Sequence, residues 1–277
     1  MHIKKKISLG FVVFHPENKF WIRIQDLLIQ GYEIYLFDNS PDYTTNLKIY
    51  EENKNFKYLT CGKNVGLSIG LTTICYNSWS KGNEVLLFFD QDTIFSTESI
   101  ISINNFFNEN RNKFEVYSAI QFESRELSMS TNFNLVKNVN LIINSGSLFN
   151  LNNAKSMDWF NMNYFIDCID YDYCLRSSNH NFLIGKFSYV PDIDHQSDQA
   201  DKDYIIFNKK IRTRKYSIFR IKQTVSSSLR ILYDSLINQN IKYSILILKS
   251  LFIYLLFQSF AYLFPIFLKK IPSENVQ

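Results

Sequence analysis

An α/β fold built on a mostly parallel sheet flanked by helices is predicted by three observations. Short apolar runs alternate with helix-length polar stretches from residue 1 to about 120, the pattern of strands joined by crossover helices. The runs are nearly continuous, as in "VLLFF" at 85–89, which suits strands covered on both faces. Two of them close on carboxylates, Asp38 and the Asp90/Asp92 pair, at the strand ends where such sheets bind ligands.

The elements follow in order. "ISLGFVVF" reads as the first strand. The basic lead before it imitates a secretion signal, but the apolar run covers only Ile7 to Phe14, lacks a small-residue cleavage site and stops at His15-Pro16. A buried strand is the expectation. "KFWIRIQDLLIQGY" reads as an amphipathic helix closing near Gly31, "EIYLFDNS" as the second strand with its turn, and "NFKYLTCG" as the third strand. "GLSIGLTTICYNSWSKG" is the next helix and "EVLLFFDQD" the fourth strand. From 121 to 200 the pattern loosens. There "NLIINSGSLFN" reads as strand and turn, "NYFIDCIDYDYCLRSSNH" as a helix start, and "FLIGKFSYVPDIDH" as a strand leaving into a loop. The composition then changes, so a domain over 1–200 and a basic, apolar helical tail over 201–277 are expected.

At 46% hydrophobic and 16% aromatic, the 277 residues can fill a large core. The formal net charge of +4 is too small to argue for nucleic acid, and none is expected as a partner. The charge is uneven, however. Lys202 to Lys222 holds eight Lys or Arg against one acid, Asp203, which points to a local anionic partner. Cys61, Cys75, Cys168 and Cys174 show no CxxC spacing, the mark of reduced thiols in a cytosolic protein.

Three groups of residues carry chemistry. Asp90 and Asp92 form a DxD at the end of a buried strand, and carboxylates are hard oxygen ligands suited to Mg²⁺ or Mn²⁺. With Asp38 they make three carboxylates on one rim, enough for a polar nucleotide with a metal. As the bland reading, a DxD is a solvated turn. The second group is "FIDCIDYDYCLR", with Asp167, Asp170, Asp172 and Arg176. On a helix Asp172 and Arg176 make an i, i+4 pair, which at a surface is worth little. Acids interleaved with Phe, Ile, Cys, Tyr and Leu must partly face an interior or cleft, where a carboxylate needs a partner, a metal or a proton to move. The third is His195 in "VPDIDHQSD", a ligand candidate only if the fold returns it to the DxD rim.

The ordered series "GFVVFHP", "FDNS", "NVGLSIG", "FFDQDT", "NSGSLFN", "NYFIDCIDYDYCLR" and "DIDH" resembles the family 2 glycosyltransferases of GT-A fold, in particular bacterial rhamnosyltransferases that build cell-surface polysaccharide. The resemblance covers about residues 7–196. It implies an inverting transfer from a dTDP- or UDP-sugar donor to a glycan or polyprenyl-diphosphate-linked acceptor, with Mg²⁺ or Mn²⁺ as cofactor. Rhamnose from dTDP-rhamnose is the first choice; galactofuranose, galactose, glucose or an N-acetylated hexosamine from a UDP donor stay open. By resemblance Asp38 would accept the imide N–H of the base, and Asn64 and Gly66 would lie against the nucleotide. Asp90 would contact the ribose or donor sugar, and Ser145 and Gly146 would line the sugar pocket. Asp92 and His195 would bind the metal. Asp170 would be the catalytic base, with Asp172 a supporting acid and Arg176 part of the same motif. The chain departs from the family at His15-Pro16, where Tyr-Asn or Thr-Asn is usual, and in lacking a second Asn in "NVGLSIGLTTICYN".

Ser250 to Leu268 has no formal charge and is closed by Lys269-Lys270, a length bordering on a membrane span. Together with the basic segment it makes residues 202–270 a membrane-surface candidate on the cytoplasmic side of the bacterial inner membrane. Packing on the catalytic domain or a homodimer interface is the alternative, and a single C-terminal span stays open. Two rival functions remain in view. A haloacid-dehalogenase-type phosphatase would need its DxD near the start of the chain and a later DD, and neither is present. A non-catalytic sugar-nucleotide-binding scaffold would have lost the base or metal ligands, whereas Asp170, Asp92 and His195 are in place.

Overall fold

A computed structural model describes residues 6–41, 53–126, 129–195, 202–206 and 209–263. The chain forms two compact units, Met1–His195 and Gln196–Gln277.

Unit 1 begins with β1 (Ser8–Val13), α1 (Asn18–Ile29), β2 (Ile34–Asp38), β3 (Phe56–Thr60), α2 (Leu67–Ser80) and β4 (Val85–Asp90). Next come β5 (Thr93–Phe95), α3 (Thr97–Phe114), β6 (Tyr117–Phe122), a 3₁₀ turn (Phe133–Leu135), β7 (Lys137–Asn138) and β8 (Ser147–Asn150). Then α4 (Leu151–Ser156), α5 (Ile169–Asn179), β9 (Leu183–Phe187) and β10 (Ile193–His195) complete it. The eight-stranded sheet runs β3-β2-β1-β4-β8-β6-β9-β7. Its first four strands are parallel, β8 runs antiparallel to both neighbours, and β9 is parallel to β6.

Strand registers place the acids. Val13 pairs with Asp38 and Val12 with Asp90, so both carboxylates flank the end of the central strand β1. The five apolar residues of β4 are buried because the sheet is covered on both faces. Phe20, Ile24 and Leu27 of α1 and Ile100, Ile103 and Phe106 of α3 belong to one core. On α2, Leu71, Ile74 and Cys75 are buried, and Phe149, Phe160 and Tyr173 pack as a ring cluster. The α3 helix was not legible as a separate element. Its start is fixed by Ser96, whose hydroxyl accepts from the Ser99 N–H while the Ser99 hydroxyl accepts from the Ser96 N–H, a reciprocal cap built without the usual Glu.

Unit 2 holds a two-stranded ladder, β11 (Lys202–Ile206) with β12 (Lys209–Thr213), and two helices, α6 (Ile218–Ile237) and α7 (Ile241–Leu263). The helices are antiparallel. Ser235 near the end of α6 bonds Ser244 near the start of α7 at 2.7 Å, whereas Gln258 near the end of α7 binds backbone ahead of α6, accepting from the Tyr216 N–H and donating to the Arg214 carbonyl. The seam is thus partly polar: Ser228, Ser235, Ser244 and Gln258 are buried. The outside is apolar. Ile218, Phe219, Leu229, Tyr233 and Leu236 are exposed on α6, and Ile245, Leu248, Phe252 and Leu256 on α7. At about 100° per residue each stripe lies to the same rotational side of its buried seam, so in an antiparallel pair both open onto one face. The uncharged stretch expected at Ser250 to Leu268 is described as far as Leu263, in a helix that begins at Ile241 and carries Lys242 and Lys249. Residues 264–277, with Pro265, Lys269 and Lys270, lie outside the described ones.

Candidate active site

The carboxyl rim of the parallel strands is knitted together by side chains that fix each turn. Asn39, just after β2, accepts the Val65 N–H at 3.0 Å and donates to the Gly66 carbonyl at 3.1 Å, and Asn64 accepts the Gly66 N–H at 3.0 Å. Gly66 has φ +91°, and a Cβ there would lie 2.5 Å from the Phe165 carbonyl oxygen. Glycine is therefore required by the protein's own loop. The same carbonyl accepts the Leu67 N–H at 2.7 Å, so the segment leading to α5 is pinned to the start of α2.

Asp38 is buried and already engaged. One oxygen accepts the Ser40 N–H at 2.8 Å and the other the Tyr58 hydroxyl at 2.9 Å.

The acidic turn is held from three sides. Ser145 accepts the Asp90 N–H at 2.9 Å and shares a hydrogen bond of 2.7 Å with the Thr93 hydroxyl. Gly146 donates to the Phe88 carbonyl. Gln91 accepts the Phe14 N–H at 2.8 Å, tying the turn to the end of β1. Arg23 of α1 donates to the Thr93 carbonyl at 2.6 Å and to the Gln91 carbonyl at 2.9 Å. Within this frame Asp90 is partly buried and Asp92 is exposed. Burial, then Asp92 and Asp170, push the Asp90 carboxyl up to about 7. Asp170 therefore lies within electrostatic reach of Asp90.

Asp170 lies in the first turn of α5, where Cys168 in a left-handed conformation turns the chain into the helix. It accepts the Tyr171 N–H at 3.0 Å. Burial foremost pushes it up to about 6, opposed by the Tyr171 and Asp170 N–H groups and reinforced by Asp167. Two acids of the same helical turn part company here. Asp172 is 3% exposed, accepts from Arg176 Nε at 2.8 Å and from Asn161 at 3.4 Å. Arg176 also donates to the Met157 carbonyl. The i, i+4 pair is a largely buried ion pair that anchors α5 to the 157–161 segment. In this arrangement Asp172 and Arg176, grouped by sequence with Asp170, brace the helix that carries it.

His195 returns to the rim. The two-stranded ladder of β5 and β10 sets it opposite Thr93, the residue after Asp92; its side chain lies outside the described atoms. Arg23, Asn39 and Gln91 were not singled out from sequence. For Arg23 a signal exists: it falls on the face of α1 that carries Phe20, Ile24 and Leu27, a cation in an apolar stripe.

No protein-family model matches the chain. Among curated proteins, the dTDP-rhamnosyl transferase RfbF of Shigella flexneri is 26% identical, the match covering 72% of this chain and 71% of the relative. Among solved structures, S. aureus TarS has TM-score 0.54 at 14% identity, covering 93% of this chain and 44% of TarS. The chain thus spans less than half of that structure. TarS 1–349 in complex with UDP-GlcNAc has TM-score 0.54 at 12% identity, with 93% and 73% covered. The fold is that of a GT-A glycosyltransferase. In sequence the chain resembles family 2 enzymes of this fold, with a dTDP-rhamnosyl transferase as its curated relative.

Proposed function

We propose that the chain is an inverting glycosyltransferase that moves rhamnose from a dTDP donor to a hydroxyl of a growing, lipid-linked surface polysaccharide. The observation that carries this reading is the convergence of Asp90, Asp92 and Asp170 at one sheet rim, with the strand of His195 paired beside them. The likeness to a dTDP-rhamnosyl transferase supports the donor. The fold shared with a structure that binds UDP-GlcNAc favours, as a second reading, a UDP-sugar donor.

The donor set fits Mg²⁺ or Mn²⁺ bound mainly by substrate. Among the described residues no three His, Cys, Asp or Glu side chains gather to hold a metal alone, and such cations are commonly held by one or two carboxylates plus phosphates. Asp92 and His195 would hold it. When bound, the cation supplies Lewis-acid stabilisation of the diphosphate leaving group.

The chain's own residues do the rest. Asp38 keeps lone pairs beyond those given to Ser40 and Tyr58 and offers them to the imide N–H of the base. The Asn64–Gly66 turn borders the nucleotide, Asp90 meets the ribose or sugar, and Ser145 and Gly146 line the sugar pocket. Asp170 takes the proton from the acceptor hydroxyl as it attacks the anomeric carbon, and its raised pKa suits a base working near neutrality. Thermal shift with dTDP-rhamnose, UDP-galactose and UDP-GlcNAc, each with and without Mn²⁺ or Mg²⁺, tests the proposal. A metal-dependent rise with one donor is expected, and no shift with any would overturn it.

The one-sided apolar face of α6 and α7 supports docking in the plane of the cytoplasmic leaflet, with Lys242 and Lys249 reaching to headgroups. Co-flotation with anionic vesicles is expected, and Phe252→Glu is expected to abolish it. Retained flotation sinks this docking surface, and a lipid-independent dimer in sedimentation would assign the face to a second copy.

A further inference from the structure

We propose that Arg23 is the positioning residue of the acidic turn, its guanidinium fork setting the direction in which Asp92 projects; the role rests on the reading of that turn as the diphosphate grip. The two hydrogen bonds go to the carbonyls of Gln91 and Thr93, the residues on either side of Asp92. One rigid, planar group therefore spans the residue that must be aimed. The guanidinium is itself aimed by packing, with its carbon 5.2 Å from the Phe20 ring and 4.9 Å from the Phe95 ring. Phe95 in turn stacks on Phe89 of β4 with ring centres 4.0 Å apart.

The placement is costly for a group that only fills space. Arg23 sits on the inward face of α1, and its buried Nε finds no hydrogen-bond partner. A Leu or Met would occupy the same face without burying a charge. What arginine adds is a pair of parallel N–H donors with fixed spacing, which lysine cannot reproduce. Ser145 binds Asp90 and Thr93, and Gln91 binds Phe14, while the carbonyls on both sides of Asp92 accept from Arg23. The guanidinium also lies near enough to Asp92 for their charges to attract, so charge and fork must be separated by experiment.

Arg23→Lys keeps the charge and removes the fork, and Arg23→Met removes both. Calorimetric titration of MnCl₂ into each full-length protein, in the presence of dTDP and separately of UDP, reads the aim of Asp92 without turnover. Both variants are expected to weaken Mn²⁺ binding on the order of tenfold or more, the size of effect seen when a group orienting a ligand is lost. Hydrogen exchange in the 90–95 segment is expected to quicken in both. Wild-type Mn²⁺ affinity in both variants would overturn the proposal and leave the site reading standing. Loss in Arg23→Met with full rescue by Arg23→Lys would overturn it in favour of charge alone. No Mn²⁺ binding by the wild-type protein with either nucleotide would overturn the site reading and this inference with it. If Arg23→Met fails to fold, Arg23→Lys alone decides between them.

Discussion

Thr93 and His195 stand opposite each other in the antiparallel ladder of β5 and β10. The pairing carries the end of unit 1 back to the residue that follows Asp92. A strand of three residues on each side is enough, because Asp194 also pairs with Ile94 and Ile193 with Phe95. The register thereby gives two sequence-distant groups, Asp92 and His195, a common edge.

Replacing Asp92 with Ala is therefore expected to remove metal-dependent turnover, by about 10²-fold or more given the several kcal/mol a Lewis acid supplies. Asp92 is exposed, so circular dichroism and melting temperature should stay near wild type. Near-normal turnover with Mn²⁺ in this variant means the assignment is wrong.

Asp170→Asn is expected to stop transfer, by about 10²–10⁴-fold, the usual contribution of a positioned base. Nucleotide binding by thermal shift should persist, because the amide fills the same space. In the wild-type enzyme the acidic limb of the pH–rate profile is expected near 6, the value to which burial pushes Asp170. An unchanged profile in the Asn variant excludes Asp170 as the base.

The metal-free protein is expected to lose stability as pH rises from about 4 to about 7. Asp90 and Asp170 are raised from 3.8 to about 7 and about 6. Across that window the folded protein holds protons that the unfolded chain has released, so raising the pH favours unfolding. Melting curves from pH 5 to 8 check the slope, and Asp90→Asn should flatten it and raise the melting temperature at pH 8. A melting temperature that climbs through this window contradicts the arrangement.

Asp172→Ala is expected to behave oppositely to Asp170→Asn. It strands Arg176, whose Nη2 is already without a partner, and breaking a buried ion pair from one side costs about 3–5 kcal/mol. Denaturant unfolding should show that loss. A fully stable but inactive variant would return Asp172 to the chemistry.

Much of the fold was legible because its signals are local. The apolar runs of β1, β2 and β4 announce buried strands, and the acidic ends of β2 and β4 mark the ligand rim wherever the strands are parallel. The antiparallel β8 was read only as strand and turn, since a four-residue run does not say which way its neighbours point. At the site, Asp90, Asp92 and Asp170 stood out as acids among apolar residues. Arg23 and Asn39 did not, because each works through backbone groups of distant loops, and no spacing in their own segments records those partners.

The sequence by itself determined the alternation of strand and helix, the ordered motifs of a sugar-transferring fold, and which residues could act as acids, bases or ligands. Only the tertiary structure decided which of them meet. It joined Asp170 to the Asp90/Asp92 rim, returned His195 to Thr93, and consumed Asp172 and Arg176 in a buried pair. The reason is physical. Periodicity and propensity act within a few residues, whereas a carboxylate's role is set by the charges and donors that distant segments bring within reach, and by how much water the packing leaves around it.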